Sequence, residues 1–197
     1  MDSKQHILGA IRRSAVPQSD LPELTGPWIT YPDKTQQFLE LVTSVGGRPV
    51  VVPDVAAAQA DLQQFPPYIT AKRIFSTVAG VGANNVDLEA VADPHDLEDL
   101  DITVLPGDFA VAENGAVWVT DHALKHRVVY FITQHLVLVV QASQILDNMH
   151  QAYAQLAFPD AGFGVFISGP SKTADIEQSL VVGAHGARSL TVYVIGG

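Results

Sequence analysis

The chain has 197 residues, 47% of them hydrophobic, with 21 acidic against 11 basic side chains for a formal net charge of −10, and no cysteine. That length and composition predict one substantial globular domain with a buried core, and the acidity excludes a general nucleic-acid binder, which needs basic surface against phosphates. Without cysteine, disulfides, thiol nucleophiles, zinc fingers and iron–sulfur ligation by this chain are excluded as well.

The N-terminal residues include Lys4, Arg12 and Arg13 and lack a continuous apolar stretch, so no signal peptide is expected. The most apolar later run, residues 128–140, is too short to cross a bilayer and is broken by Gln134 and His135. These features predict a soluble cytoplasmic protein of bacterial type that binds neither membrane nor nucleic acid.

Residues 2–13 read as a first helix with Ile7, Leu8 and Ile11 at helical spacing, followed by a connector punctuated by Pro17, Pro22, Gly26, Pro27 and Pro32. The expected division is therefore an N-terminal helix and Pro-rich connector over 1–32 and a main domain over 33–197. Asp33 is placed to cap a second helix whose apolar face is Phe38, Leu41, Val42 and Val45, and Gly46 and Gly47 stop it. Residues 48–52 read as a strand, 55–65 as an alanine-rich helix, and 73–77 and 102–105 as short strands. Residues 109–112 and 116–120 form a hairpin pattern around Asn114-Gly115. The apolar run 136–140 predicts a strand buried on both faces. Then come a helix over 145–156, a strand over 164–167, a short helix over 174–180 and a last strand over 190–195. This alternation predicts an α/β fold, a mostly parallel sheet flanked by helices with one inserted hairpin, preceded by the short N-terminal helical segment.

Charge is uneven. No Lys or Arg lies between Arg73 and Lys125, while ten acidic residues from Asp87 to Asp121 do. Such a run reads as a solvated acidic face, or as a docking surface for a basic partner.

Three segments carry candidate chemistry. In Ala112-Glu113-Asn114-Gly115 a carboxylate stands at a strand end beside a hairpin turn, where it could act as nucleophile or general base; the alternative is ordinary turn chemistry with Glu113 merely exposed. In the stretch from Ser168 to Glu177, Ser171 and Thr173 are candidate caps of the following helix, and Asp175 suits its first turn. Free N–H groups there, with Gly169 and Lys172 alongside, could hold a small carboxylate or phosphate, although Asp175 and Glu177 oppose an anion that sits too close. In Gly183-Ala184-His185-Gly186 a histidine between glycines could shuttle a proton, or be structural. Two weaker patterns are His122 and His126 with His135 nearby as a metal set, and Gly80-Val81-Gly82 as half of a dinucleotide fingerprint.

The run Ser168–Glu177, followed by Leu180-Val181-Val182-Gly183-Ala184-His185-Gly186, resembles the C-terminal signature of the LUD domain family of lactate-utilisation protein C type: Gly-Pro-Ser-x-Thr-Ala-Asp-Ile-Glu before Gly-x-His-Gly. The central Ala112–Gly115 turn and the histidine that introduces a strand, His135, occur in the same order. The resemblance covers most of the chain from about Asp33. This chain has Asn114 where the family usually has threonine, which removes a hydroxyl, and Ala187 where it usually has proline. Glu113-Asn114-Gly115 also resembles the Glu-Asn-Gly of family I CoA transferases, where the glutamate carries the acyl group.

The resemblance implies a fold similar to ribose-5-phosphate isomerase, glucosamine-6-phosphate deaminase and CoA transferases. It implies a part in oxidising L-lactate to pyruvate beside iron–sulfur partner proteins, with no cofactor held by this chain and no metal expected. In that reading Glu113 and His185 are the acid–base candidates. Gly169, Ser171, Lys172, Thr173, Asn114, Gly115 and Asp175 form the substrate-binding set. The alternative is a stand-alone enzyme on a small acyl or sugar-phosphate substrate that uses Glu113.

Overall fold

A computed structural model describes residues 3–14, 19–20, 23–122, 124–156, 162–176 and 179–196, and of residues 174–176, 179 and 180 it describes the backbone only. Helix α1 (Ser3–Arg13) has no buried residue, and Ile7, Leu8 and Ile11 are exposed. Helix α2 (Lys34–Ser44) begins where expected: the Asp33 carboxylate accepts the Gln36 N–H at 2.9 Å, and Phe38 and Val42 are fully buried.

The chain continues through β1 (Arg48–Val52), α3 (Val55–Leu62), α4 (Pro66–Thr70), β2 (Ile74–Ser76) and β3 (Ile102–Pro106). Next come β4 (Phe109–Val111), β5 (Ala116–Thr120), α5 (Val129–Ile132), β6 (His135–Gln141) and β7 (Ile145–Leu146). The last elements are α6 (Met149–Gln155), β8 (Gly164–Ile167), β9 (Lys172–Ile176), β10 (Ser179–Val182) and β11 (Ser189–Ile195). Five strands form a wholly parallel sheet in the order β1-β11-β6-β3-β2, so the last strand enters between the first and the middle one. The expected hairpin β4–β5 is the centre of a second, four-stranded mixed sheet, β7-β4-β5-β8.

Alternating side chains of the central strands serve two cores. Val137, Val139, Ile102, Val104 and Tyr193 pack under Ala58 and Leu62 of α3. On the other face Leu136, Leu138, Val192 and Val194 meet Phe38 and Val42 of α2 and Ala110 and Val117 of the second sheet. Beyond that sheet, Phe109, Val111 and Trp118 are covered by Ala152 of α6. The layers are thus helix, parallel sheet, mixed sheet with α2 at its side, and helix. The α/β class with a mostly parallel central sheet holds, and the hairpin is enlarged into a layer of its own.

Three boundaries differ from expectation. The helix expected over 145–156 begins only at Met149, because Ile145 and Leu146 pair in parallel with Ala110 and Val111 and Asn148 caps the helix by accepting the Gln151 N–H. The helix expected over 55–65 ends at Leu62, and a separate turn of helix starts at Pro66. The short helix expected over 174–180 is absent: Lys172–Ile176 and Ser179–Val182 form an antiparallel pair with a bulge between Ser179 and Val181. Thr173, Ile176, Val181 and Val182 are β-branched, and cross-strand pairing overrides the capping preference of Ser171 and Thr173.

Gly107 joins the two sheets. Its N–H donates to the Val139 carbonyl at 2.9 Å, and the next N–H, of Asp108, donates to the Trp118 carbonyl at 3.0 Å. A Cβ on Gly107 would stand 2.3 Å from Val117 Cγ1 and 2.7 Å from Val140 Cγ1, both on fully packed strands. Gly107→Ala should therefore cost about 1–3 kcal/mol or more, read as a lowered denaturation midpoint with unchanged slope; an unshifted midpoint would contradict this packing.

Candidate functional site

The β4–β5 turn is a four-residue loop, Ala112 to Gly115, held from three sides. The Ala112 and Glu113 N–H groups donate to the Leu146 and Asp147 carbonyls at 2.8 and 3.0 Å. Asn114 Oδ1 accepts the Ala116 N–H at 3.1 Å, and the Asn114 carbonyl accepts the Ser168 hydroxyl at 2.9 Å. Gly115 has φ +64 and lies so close to α2 that a Cβ would stand 2.9 Å from the Val42 nitrogen, so both its conformation and its position call for glycine. Glu113 is exposed, and its Oε2 accepts the Met149 N–H at 2.8 Å in the first turn of α6. That bond gives the carboxylate a structural task at this seam. The residues before α2 reach the same place: Asp147 Oδ1 accepts the Tyr31 N–H at 2.8 Å, Asn148 Nδ2 donates to the Ile29 carbonyl at 2.7 Å, and Trp28 stacks on His150 at 3.5 Å.

The second and third expected segments converge. Ser171 N–H donates to the Ala187 carbonyl, and Gly183 N–H to the Ser171 carbonyl, each at 2.9 Å, which folds the two glycine-containing turns together. Thr173 Oγ1 and His185 Nδ1 share a hydrogen bond at 3.2 Å. Gly169, Ser171 and His185 line one cavity of about 230 Å³, whose apolar walls include Tyr130, Phe131, Leu136 and Leu190. Glu113, Asn114 and Gly115 do not line it; the Asn114 carbonyl bonds to Ser168, which directly precedes the lining residue Gly169. Lys172 points toward the end of α2, its Cε 3.9 Å from where a Cβ on Gly46 would stand. The helix N-terminus expected to hold an anion is replaced by the β9–β10 pair, so an anion here would depend on side chains and turn amides. The Asp175 side chain and Glu177 lie outside the described residues.

The three histidines weighed as a metal set separate. His126 Nε2 donates to the Val91 carbonyl at 2.9 Å. His135 Nδ1 meets the Ser189 hydroxyl at 2.8 Å where β6 and β11 begin, and His122 lines a different cavity with Asp108. The acidic stretch is partly committed within the fold: Asp101 accepts the Lys72 and Arg73 N–H groups, Asp99 pairs with Arg73, and Asp93 pairs with His95. Sequence reading missed Tyr130 and Phe131 as cavity walls, because they stand in a run whose only legible property was apolarity. It also missed Asp108, whose signal was a Gly-Asp pair directly after a parallel strand.

His135 is pushed below its ordinary value of 6.5 by burial first and by Arg188 second, against the opposing pull of Asp101. Below the ordinary value the unfolded chain binds more protons than the folded one, so His135 leaves stability unchanged at high pH and increasingly opposes folding as pH falls toward its lowered folded value. The denaturation midpoint should fall more steeply as pH drops below the ordinary value of 6.5 in the native chain than in His135→Asn; parallel pH curves would overturn the assignment.

A model of the LUD domain matches residues 86–195, more than half of the chain. Lactate utilization protein C of Geobacillus kaustophilus is 28% identical over 168 residues, 78% of this chain and 65% of its own length. Lactate utilization protein C 1 of Bacillus mycoides is 36% identical over 102 residues, 48% of this chain and 43% of its own. The matched stretches thus span less than two thirds of these curated relatives, 65% of the first and 43% of the second. A crystal structure of a DUF162 family protein from Deinococcus radiodurans superposes with a TM-score of 0.60 at 20% identity, covering 83% of this chain and 96% of the other, which supports the fold. By the extent of the family match, the chain belongs to the LUD domain family.

Proposed function

We propose that this chain is a component of an L-lactate utilisation system, in which lactate loses its hydroxyl and Cα hydrogens as two protons, and two electrons to iron–sulfur partner proteins, as the pyruvate carbonyl forms. The observation that carries the reading is the cavity joining Gly169, Ser171 and His185 in a chain whose relatives are named lactate utilization protein C. The cavity suits a small 2-hydroxy acid: the apolar walls at Leu136 and Leu190 take a methyl group, and Ser171 and His185 are polar groups for hydroxyl and carboxylate. In this reading His185 exchanges the hydroxyl proton, and its bond to Thr173 orients the ring. Glu113 braces the turn beside the cavity through its bond to α6. The electron carriers are assigned to partners because the chain has no cysteine with which to ligate a cluster. The small acidic protein is assigned to the cytoplasm; among the described residues no helix is long and apolar enough to cross a membrane.

The test is reconstitution of the chain with the proteins encoded beside it, followed by pyruvate formation from L-lactate. His185→Gln should lower the rate by about a hundredfold or more while the assembly still co-purifies. Full lactate oxidation without this chain, or with His185→Gln, would remove the reading.

A further inference from the structure

We propose that a second cavity, between Asp108, Thr120, His122 and Thr77, binds a small neutral polyhydroxylated ligand of about pentose size. The cavity has a volume of about 280 Å³ and is separate from the His185 cavity; among the described residues Tyr130 alone lines both. It lies at the C-terminal ends of two adjacent parallel strands: Thr77 directly follows β2, and Leu105 and Pro106 end β3. That edge of a parallel sheet leaves a crevice open to ligands, because the chain turns away there toward its crossover.

The backbones that carry two of the polar groups are fixed, while the Asp108, His122 and Thr77 side chains are exposed to the cavity mouth. The Asp108 backbone is held by its N–H bond to Trp118, and the Thr120 carbonyl accepts the Tyr130 hydroxyl at 3.0 Å. The Asp108 carboxylate receives the Thr120 hydroxyl at 3.5 Å, a long bond that leaves most of its acceptor capacity for a ligand. Burial pushes the Asp108 carboxyl above the usual carboxylate range, against the hydrogen bond from Thr120 and the charge of His122. A carboxylate, two threonine hydroxyls and an imidazole offer acceptors and donors at several points, which matches adjacent hydroxyl groups, while Leu105, Pro106 and Leu124 offer an apolar floor.

The charge pattern selects against an anion. Among the described residues lining this cavity there is no Lys or Arg, and Lys125 in the adjoining cleft donates its ammonium to the Glu89 carbonyl. A phosphate or carboxylate would meet Asp108 with no Lys or Arg to compensate it, and with the single imidazole of His122 already facing that carboxylate. The two cavities therefore select differently: His185 and Ser171 face a small acid, and Asp108 faces neutral hydroxyls.

The test is an NMR titration of the full chain with D-xylose, with xylitol and with D-xylonate, the last two being open-chain and differing in the charge of one end. D-xylose and xylitol should shift the amides around Leu105, Asp108, Thr120 and His122 saturably, and D-xylonate should bind at least about tenfold more weakly than xylitol. Asp108→Asn should weaken D-xylose binding by about tenfold. His122→Gln, at an exposed position, should weaken it as well and serves as the second variant if Asp108→Asn folds poorly. Absence of saturable shifts, equal or tighter binding of D-xylonate, or undiminished affinity in the folded variants overturns the proposal.

Discussion

The two sheets of this chain are held together by the crossing at Gly107, where a strand of the parallel sheet becomes a strand of the mixed one within two residues. The crossing requires the backbone to pass between Val117 and Val140 closer than any side chain allows. In return, consecutive N–H groups bond to different sheets, Gly107 to β6 and Asp108 to β5. The core between the layers is sealed at this point, and Leu138, Val140, Ala110 and Val117 pack across it as one cluster. The position of β4, and hence of the turn that carries Glu113, follows from where the chain leaves β3.

That arrangement explains why the candidate chemistry sits at seams rather than inside one layer. The His185 cavity lies where the loops after β8 and before β11 meet α5. Its neighbour lies where β2 and β3 end and β5 begins to turn away. Each is floored by apolar side chains from the rigid strands and edged by polar groups from loops, so the strands fix where the polar groups stand. Glu113 belongs to a third seam, where its carboxylate ties the hairpin to the start of α6 and the residues around Tyr31 are bound to the preceding turn.

Much of this was legible in the sequence where local chemistry and tertiary demand agree. Asp33 caps α2, Leu136 to Val140 form a central strand, and Asn114-Gly115 closes a hairpin, because each is decided within a few residues. The reading failed where a strand partner lay far away. Ile145 and Leu146 look helical until Ala110 and Val111 are beside them, and the stretch after Ser171 looks like a capped helix until Val181 and Val182 pair with it. The family resemblance identified the segments around Ser171 and His185, and the fold brings them to one cavity. It could not reveal that Glu113 bonds to α6, since Met149 is 36 residues away in the chain. Asp108 carried only a Gly-Asp pair and His122 only a weak histidine pattern that pointed to a metal; their meeting depends on the path through Gly107 and on the pairing of β4 with β5.

The strand order has a consequence for how the protein is made. Arg48 pairs with Thr191, and His135 with Ser189, because β11 lies between β1 and β6. During synthesis β1 therefore emerges long before its only strand neighbour among the described residues, and closing so long a loop costs entropy that local contacts cannot repay early. Until the final strand leaves the ribosome, both β1 and β6 present an unpaired edge, and that edge is where the nascent chain is open to non-native pairing or to a chaperone.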